Sequence, residues 1–322
     1  MSPLRPGDRL DHYRIDSLVA QGGMASVFRS TDIRTGHSVA IKIPKPEMEC
    51  DVLFFDRFHR EAEIGSKLDH PSVVRIMASD DRSRVYMVME WVEGRPLREI
   101  LDEQKKLSPE RAVCIALRIC DALSYIHGHG VVHRDLKPDN IMVDAHNRIK
   151  LIDFGIAGDT GARRLTFGKF TKAMGTPDYV SPEQVKGKRG DARTDIYALG
   201  VIVYEMLTGV VPFRASNPFV AMNQRLLTDP APAREIDSTI SPQTQEVIFR
   251  ALEREPEHRY PTVREFAYDL EHLDQVGVTD RTERRNAKHL RTPQGKLTWH
   301  YVALALIPIA VFALLLLIAH RQ

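Results

Sequence analysis

The chain has 322 residues, 43% of them hydrophobic and 27% charged, an ordinary globular mixture with room for one large domain or two smaller ones. Its formal net charge of +2 excludes the overall basic composition of a nucleic-acid-binding protein, so any basic signal is local. The three cysteines, Cys50, Cys114 and Cys120, form no CxxC pair and no metal-ligand spacing, which fits a reduced compartment.

The opening "MSPLRPGDRLDHYRI" lacks an apolar h-region and does not read as a signal peptide. From there to about residue 92 strands dominate. "YRIDSLVA", "ASVFRSTDI" and "SVAIKIP" are short β-branched-rich runs separated by Gly- or Asp-containing turns, and "VVRIMASDD" and "RVYMVMEWV" continue the pattern. One helical pattern, residues 54–68, interrupts them. From Leu97 onward helices take over. Ser108, Pro109 and Glu110 read as a capped helix start, followed by Ala112, Ile115, Ala116, Ile119, Leu123 and Ile126 at 3.6-residue spacing. Cys114 and Cys120 fall within this pattern and read as core packing.

The stretch "GVVHRDLKPDNIMVD", residues 130–144, breaks the helices. Val131 and Val132 on one side and Ile141, Met142 and Val143 on the other bracket a polar centre carrying Asp135, Lys137 and Asn140. An acid, a base and an amide gathered on one short loop between buried elements suggest chemistry. Further on, "TDIYALGVIVYEMLTG" is apolar nearly all round, which predicts a helix buried in the middle of a lobe. Strands first and helices later imply an α+β layout with two lobes and a ligand cleft between them.

Past residue 273 the pattern fades. Residues 274–300 read as a polar, basic linker. Residues 301–319, "YVALALIPIAVFALLLLIA", carry no charge and as a helix would span roughly 28 Å, close to the hydrocarbon core of a bilayer. Pro308 is tolerable in a membrane helix. Arg281, Arg284, Arg285, Lys288, Arg291 and Lys296 precede the span, which places the folded body on the cytoplasmic side. These cations attract anionic lipid head groups at roughly 1 kcal/mol each. Trp299 and Tyr301 are the expected interfacial anchors, and the tail of residues 320–322 is too short for an external sensor domain. The expectation is a single-pass membrane protein with the bilayer as a partner. A signal would then come through lipids, helix-mediated partners or homodimerisation of the folded body.

From about Tyr13 to Leu273, roughly four-fifths of the chain, the motifs "AQGGMASV", "VAIK", "HRDLKPDN", "IDFG" and "GTPDYVSPE" occur in the order of a protein kinase. The segment resembles a eukaryotic-type (Hanks-type) serine/threonine protein kinase domain, and most of all the membrane-bound bacterial members. The resemblance implies a two-lobed kinase fold, with a small β-rich lobe at 13–91 after a tail at 1–12, and a larger helical lobe at 92–273. It implies ATP with Mg²⁺ or Mn²⁺ as cofactors and protein Ser/Thr hydroxyls as substrates. Asp135 would orient the substrate hydroxyl and accept its proton, and Lys137 would reach the transferred phosphate. Asn140 and Asp153 offer hard oxygens for the metal. Lys42, on an apolar strand, needs a partner, and Glu61 is favoured over the neighbouring Glu63. The lid would comprise Val19, Ala20, Gln21, Gly22, Gly23, Met24, Ala25, Ser26 and Val27. There Ala20 and Ala25 replace the family's outer glycines and are expected to weaken nucleotide affinity or slow the lid, because Ala resists φ > 0.

In "MEWVEG", Met89 would be the gatekeeper, and the backbones of Glu90 and Val92 would meet the adenine edge. Thr176 with Lys137 follows the Ser/Thr-specific pattern. Glu183 should pair with Arg259 in a buried structural bridge, and Asp195 should brace the backbone around His133 and Arg134. A phosphate on Thr160, Thr166 or Thr171, with Thr171 nearest to "GTP", could pair with Arg134 and order the segment. Gly65, four residues beyond Glu61, replaces a common apolar side chain, so looser packing is expected there. The runner-up reading is a catalytically silent pseudokinase scaffold, favoured by the altered lid alone, since Lys42, Asp135 and Asp153 are all present. A small-molecule kinase fits less well, because "GTPDYVSPE" resembles a peptide-binding segment.

Overall fold

Period-two alternation builds the first lobe. In β4 (Ser38–Pro44), Val39, Ile41 and Ile43 are buried on one face, which turns Lys42 to the other. The computed structural model describes residues 4–49, 51–77, 82–153, 177–215 and 217–279. Within these residues β4 belongs to a six-stranded antiparallel sheet. It joins β1 (Arg9–Leu10), β2 (Tyr13–Gln21), β3 (Ala25–Asp32), β5 (Ile76–Met77) and β6 (Met87–Glu90) in the order β1-β2-β3-β4-β6-β5. Only Ile76–Met77 and Met87–Glu90 form strands in the two later runs, shorter than the sequence suggests, and residues 78–81 lie outside the described set.

Two helices, α1 (Pro46–Glu49) and α2 (Val52–Ser66), follow β4. Phe54, Phe58, Glu61 and Gly65 recur three or four residues apart, so one stripe of α2 carries both the packing and the acid. The Phe54 and Phe58 rings stack 5.9 Å apart.

The second lobe is helical, and its helices start where capping chemistry dictates. It contains α3 (Leu97–Gln104), α4 (Pro109–Gly128), α5 (Pro182–Val185), α6 (Ala192–Thr208), α7 (Pro218–Leu227), α8 (Ala233–Ile236), α9 (Pro242–Ala251) and α10 (Val263–Glu271). The Ser108 hydroxyl accepts the Arg111 N–H at 3.3 Å with Pro109 in the first turn, as the sequence predicts. All six periodic residues of α4 are fully buried. Helix α6 is buried from Thr194 to Thr208 and runs through the lobe's centre. A Cβ on Gly200 would stand 2.8 Å from the Ala251 Cβ, so glycine sets the close crossing of α6 and α9. A three-stranded sheet, β7 (Arg95–Pro96), β8 (Ile141–Val143) and β9 (Ile149–Leu151), lies at the top of this lobe and carries the polar loop.

The chain separates into a compact unit ending at Gly277 and a second beginning at Val278. Among the described residues no helix is long and apolar enough to cross a membrane. The expected span at 301–319, with its anchors Trp299 and Tyr301 and the basic residues from Arg281 to Lys296, lies outside them.

Candidate active site

The site begins with a cation that two carboxylates share. Lys42 Nζ donates to Glu61 at 3.0 Å and to Asp153 at 2.8 Å, which joins β4, α2 and the segment just after β9. Burial pulls the Lys42 ammonium down, but Asp153 and Glu61 outweigh it and hold its pKa well above the ordinary lysine range. Burial pushes Asp153 up, yet Lys42 dominates and keeps it ionised below the usual carboxylate range. Glu61 gets the smaller share of the cation, and burial holds it above its ordinary value. Glu63 makes an exposed pairing with Lys67 at 2.7 Å, so the structure brings Glu61 rather than Glu63 to Lys42.

The expected looseness at Gly65 is not found. A Cβ there would lie 2.2 Å from Ile76 Cδ1 and 2.9 Å from its Cγ1. Ile76, buried on β5, fills the space that a side chain on α2 would take, and both residues are buried. The missing apolar group is supplied from the other side of the contact, which sequence spacing along α2 alone could not reveal.

Beneath Lys42 lies the polar loop. Lys137 Nζ donates to Asp135 Oδ2 at 2.8 Å. The Asn140 amide nitrogen donates to the Asp135 carbonyl at 2.8 Å and to Asp135 Oδ2 at 3.2 Å. Asp135 is half-exposed, so its carboxylate is open to solvent. Ile152 N–H donates to the Asn140 carbonyl at 2.9 Å and so fixes Asp153 relative to this loop. Arg134 and Asp153 adopt φ of +62° and +54°. Such backbone is strained for a side-chain-bearing residue and persists where the surroundings over-determine it.

Asp195 is that surrounding for Arg134. Its two carboxylate oxygens accept the His133 and Arg134 N–H groups at 2.8 Å each, and it also bonds His127 Nε2 at 2.8 Å. Burial drives the His133 pKa below its ordinary value, so the ring is neutral. Glu183 meets Arg259 through two bonds of 2.7 and 2.8 Å, and Thr194 adds a third contact to Glu183 at 2.8 Å. Burial raises Glu183, but Arg259 wins and lowers its pKa. Gln184 Nε2 donates to the Arg134 carbonyl at 2.9 Å and ties α5 to the polar loop.

The lid is the β2–β3 hairpin. Ala20 and Ala25 lie in β2 and β3, and neither is among the residues with positive φ. The backbone reason for expecting a weakened lid therefore disappears. Gly22 N–H donates to the Ala25 carbonyl at 2.9 Å, and Lys45 N–H to the Met24 carbonyl at 2.9 Å, which shape the tip. Val19 is half-exposed, while Gln21, Gly23, Ser26 and Val27 complete the hairpin.

Met89 is buried between Ala40 and Ile76 on the neighbouring strands. Glu90 ends β6, and Val92 follows it, half-buried. The sequence reading overlooked the Glu90 side chain. Its Oε1 accepts the Arg75 N–H at 2.8 Å and pairs with Lys150 of β9, which also reaches the Val73 carbonyl at 3.3 Å. A basic residue two positions before Ile152 was the available signal. Thr160, Thr166, Thr171 and Thr176 lie outside the described residues.

The donor set fits a divalent cation held jointly with a nucleotide. Asn140 spends its nitrogen on Asp135 and retains its oxygen, and Asp153 spends Oδ1 on Lys42. Among the described residues no group of three or more His, Cys, Asp or Glu could hold a metal alone. That suits Mg²⁺, which keeps several waters and binds through one or two protein oxygens plus phosphates.

A family model described as the protein kinase domain matches residues 13–269. The chain is 38% identical over 278 residues to a protein named "Probable serine/threonine-protein kinase" from Corynebacterium efficiens, covering 84% of this chain and 42% of that protein. It is 35% identical over 270 residues to the serine/threonine-protein kinase PknB of Mycobacterium tuberculosis, covering 82% of this chain and 43% of that one. The chain thus spans less than half the length of these curated relatives. The crystal structure of the Mycobacterium tuberculosis PknI kinase domain superimposes with a TM-score of 0.67 at 23% identity, covering 84% of this chain and all of that one, a likeness of fold.

Proposed function

The chain belongs to the protein kinase family, and from that premise we propose that it is an ATP-dependent serine/threonine protein kinase that phosphorylates protein hydroxyls. One observation carries the reading: Lys42, Glu61 and Asp153 are joined directly above the Asp135–Lys137–Asn140 loop. Phosphoryl transfer asks for alignment and charge neutralisation more than for covalent work by the protein. Lys42 is positioned to hold the α- and β-phosphates. Asp135 takes the proton of the substrate hydroxyl as its oxygen bonds the γ-phosphorus, and the bond to the β–γ bridging oxygen breaks to leave ADP. Lys137 follows the moving phosphoryl charge. Asn140 and Asp153 would hold Mg²⁺ or Mn²⁺, which when bound offsets the charge of the phosphates.

Transfer of label from γ-labelled ATP to protein is the test. Asp135→Asn should lower turnover by about 10² to 10⁴ while nucleotide affinity changes little. Near-wild-type turnover in that variant rejects the assignment. No described feature favours the scaffold reading, since every charged part of the machinery is in place.

The same reading extends to activation. Burial lowers the Arg134 pKa, and the neighbouring cations Arg189 and Arg60 lower it further. The positive charge that Arg189 and Arg60 add around Arg134 favours a phosphate there. Thr171, Thr166 and Thr160 are the proposed autophosphorylation sites. Mass spectrometry after incubation with ATP and Mg²⁺ should find phosphate between Asp153 and Glu183, and its absence counts against the mechanism.

The charge-free run at 301–319, behind its basic linker, supports single-pass anchoring in a lipid bilayer with the kinase domain in the cytoplasm. Truncation after about residue 295 should release the kinase from membranes. Pelleting of the truncated protein after a high-salt wash would refute the anchor.

A further inference from the structure

Away from the nucleotide site, a cavity of about 360 Å³ opens between α3, the end of α6 and Tyr179. Both of its walls adjoin the catalytic loop. Helix α3 packs on the 3-10 turn Pro138–Asn140, and Tyr179 lies five residues before Gln184, which bonds the Arg134 carbonyl. A cavity beside the catalytic loop is within reach of a protein substrate, and its charges say what kind of residue it would take.

The floor is already neutral. Glu205 accepts Arg98 Nη1 at 2.9 Å and the Tyr179 hydroxyl at 2.5 Å. Arg98 also pairs with Asp102 at 3.0 Å. The carboxylate at the bottom is therefore spent and offers nothing to a basic side chain. The other acid on the wall, Asp178, faces the buried guanidinium of Arg225 at 3.7 Å.

The rim is different. Lys105 and Arg214 line it, both exposed, and neither has an ion-pair partner among the described residues. Lys105 also sits where lysine is unexpected. It caps α3 with φ of +66° and ψ of −57°, a positive-φ conformation that side-chain-bearing residues rarely adopt. A side chain there is strained, at about 1 kcal/mol or more. The cation's attraction to the helix C-terminus offsets only part of that. The Lys105 carbonyl lies 3.1 Å from where a Cβ on Gly209 would stand, so glycine at the end of α6 permits the approach. The fold keeps a charged side chain at this rim under strain and gives up a glycine to do so. Between rim and floor, Leu101 and Val211 supply an apolar collar.

We propose that this cavity is a specificity subsite for an acidic residue of the protein substrate, a glutamate whose methylene stem meets the apolar collar and whose carboxylate meets Lys105 and Arg214. The inference rests on the kinase reading above and names the substrate class for that same site. It is decided by charge complementarity, since Lys105 and Arg214 have no ion-pair partner among the described residues.

A positional library of Ser/Thr peptides, with Glu, Gln or Lys at each position around the acceptor, tests it on the full chain. At one position the wild type should favour Glu over Lys by about fivefold in kcat/KM, the scale of two solvent-facing ion pairs. Lys105→Glu with Arg214→Glu should invert that ratio, and Lys105→Ala with Arg214→Ala should bring it to about one. Because the ratio is read within each protein, a general change in activity does not mask it. The same Glu-to-Lys ratio in the wild type and the Glu variant overturns the subsite, as does a wild type indifferent to charge at every position, and both leave the kinase reading standing. If the wild type transfers phosphate to no peptide and to no protein, the kinase reading falls and the subsite with it.

Discussion

The two halves of the active site are held in opposite ways. The catalytic loop is braced by charges: Asp195 grips two backbone N–H groups, and Glu183 and Arg259 lock the segment beyond it. The helix that presents Glu61 is seated by shape, through the notch at Gly65 that Ile76 fills. Charge networks specify a strained backbone but collapse when one member is lost, whereas a packed notch tolerates deletion better than insertion. The lower half is thus built to stay and the upper half to be adjusted.

Breaking the charge-braced half should cost most. Arg259→Leu leaves Glu183 buried without its cation, and the expected loss is about 3–5 kcal/mol of stability. Adding Glu183→Gln should recover part of it. Denaturant unfolding of the single and double variants measures both. Equal stability of Arg259→Leu and wild type would remove the distinction between the halves.

The shape-seated half should respond to insertion. Gly65→Ala should cost about 1–3 kcal/mol, the scale of overpacking. Activity should fall further than this loss of folded protein explains, because α2 carries Glu61 away from Lys42. Ile76→Val removes the Cδ1 atom that the new Cβ would meet, so the double variant should regain activity. If Ile76→Val gives no rescue, the notch does not position Glu61.

The sequence showed the chemistry more fully than the seating. Lys42, Asp135, Asn140 and Asp153 stand in a fixed order along the chain, and the alternation in β4 already turns Lys42 away from the core. Glu183–Arg259 and Asp195 were legible only through the family resemblance, and the structure does give each buried charge its partners. What the sequence hid depends on approach between distant segments: Ile76 entering the Gly65 notch, and Lys150 crossing to Glu90. The negative φ of Ala20 and Ala25 was hidden for a related reason, since the φ a glycine position requires belongs to the fold. Capped helix starts were readable because their hydrogen bonds close within four residues.

Acid should separate the halves again. His133 is buried and neutral with a depressed pKa, so below about 6.5 the unfolded chain takes up a proton that the folded chain refuses. Stability contributed by this neutral burial is present above the ordinary histidine pKa and is lost as pH falls beneath it. Glu183 acts in the same direction lower down, since its depressed pKa makes its contribution fade as pH falls through the carboxylate range. Thermal melts between pH 7.5 and 5, an interval chosen around the histidine range, should therefore show decreasing stability. A melting temperature that rose on acidification would contradict the charge-braced picture.

The smallest expected effect tests where the halves meet. Lys150 stands on β9, and through Glu90 it reaches the end of the upper sheet. The Glu90 carboxylate also holds the Arg75 N–H, so the pair ties the hinge to the stretch after α2. Both side chains are about one-quarter exposed, which keeps the pair's net worth to about 1 kcal/mol or less. Its loss should hardly move stability. Lys150→Met should instead loosen the tie between the lobes and speed release of a fluorescent ADP analogue by roughly fivefold, the kinetic equivalent of that energy. Lys150→Arg keeps the charge and the donors, so its release rate should stay near that of the wild type. A Met variant that releases nucleotide at the wild-type rate would mean that backbone pairing and the Lys42–Asp153 bridge couple the lobes without it. There the Val74 and Leu151 N–H groups already donate across the junction to Leu151 and Ser72 at 2.9 Å each.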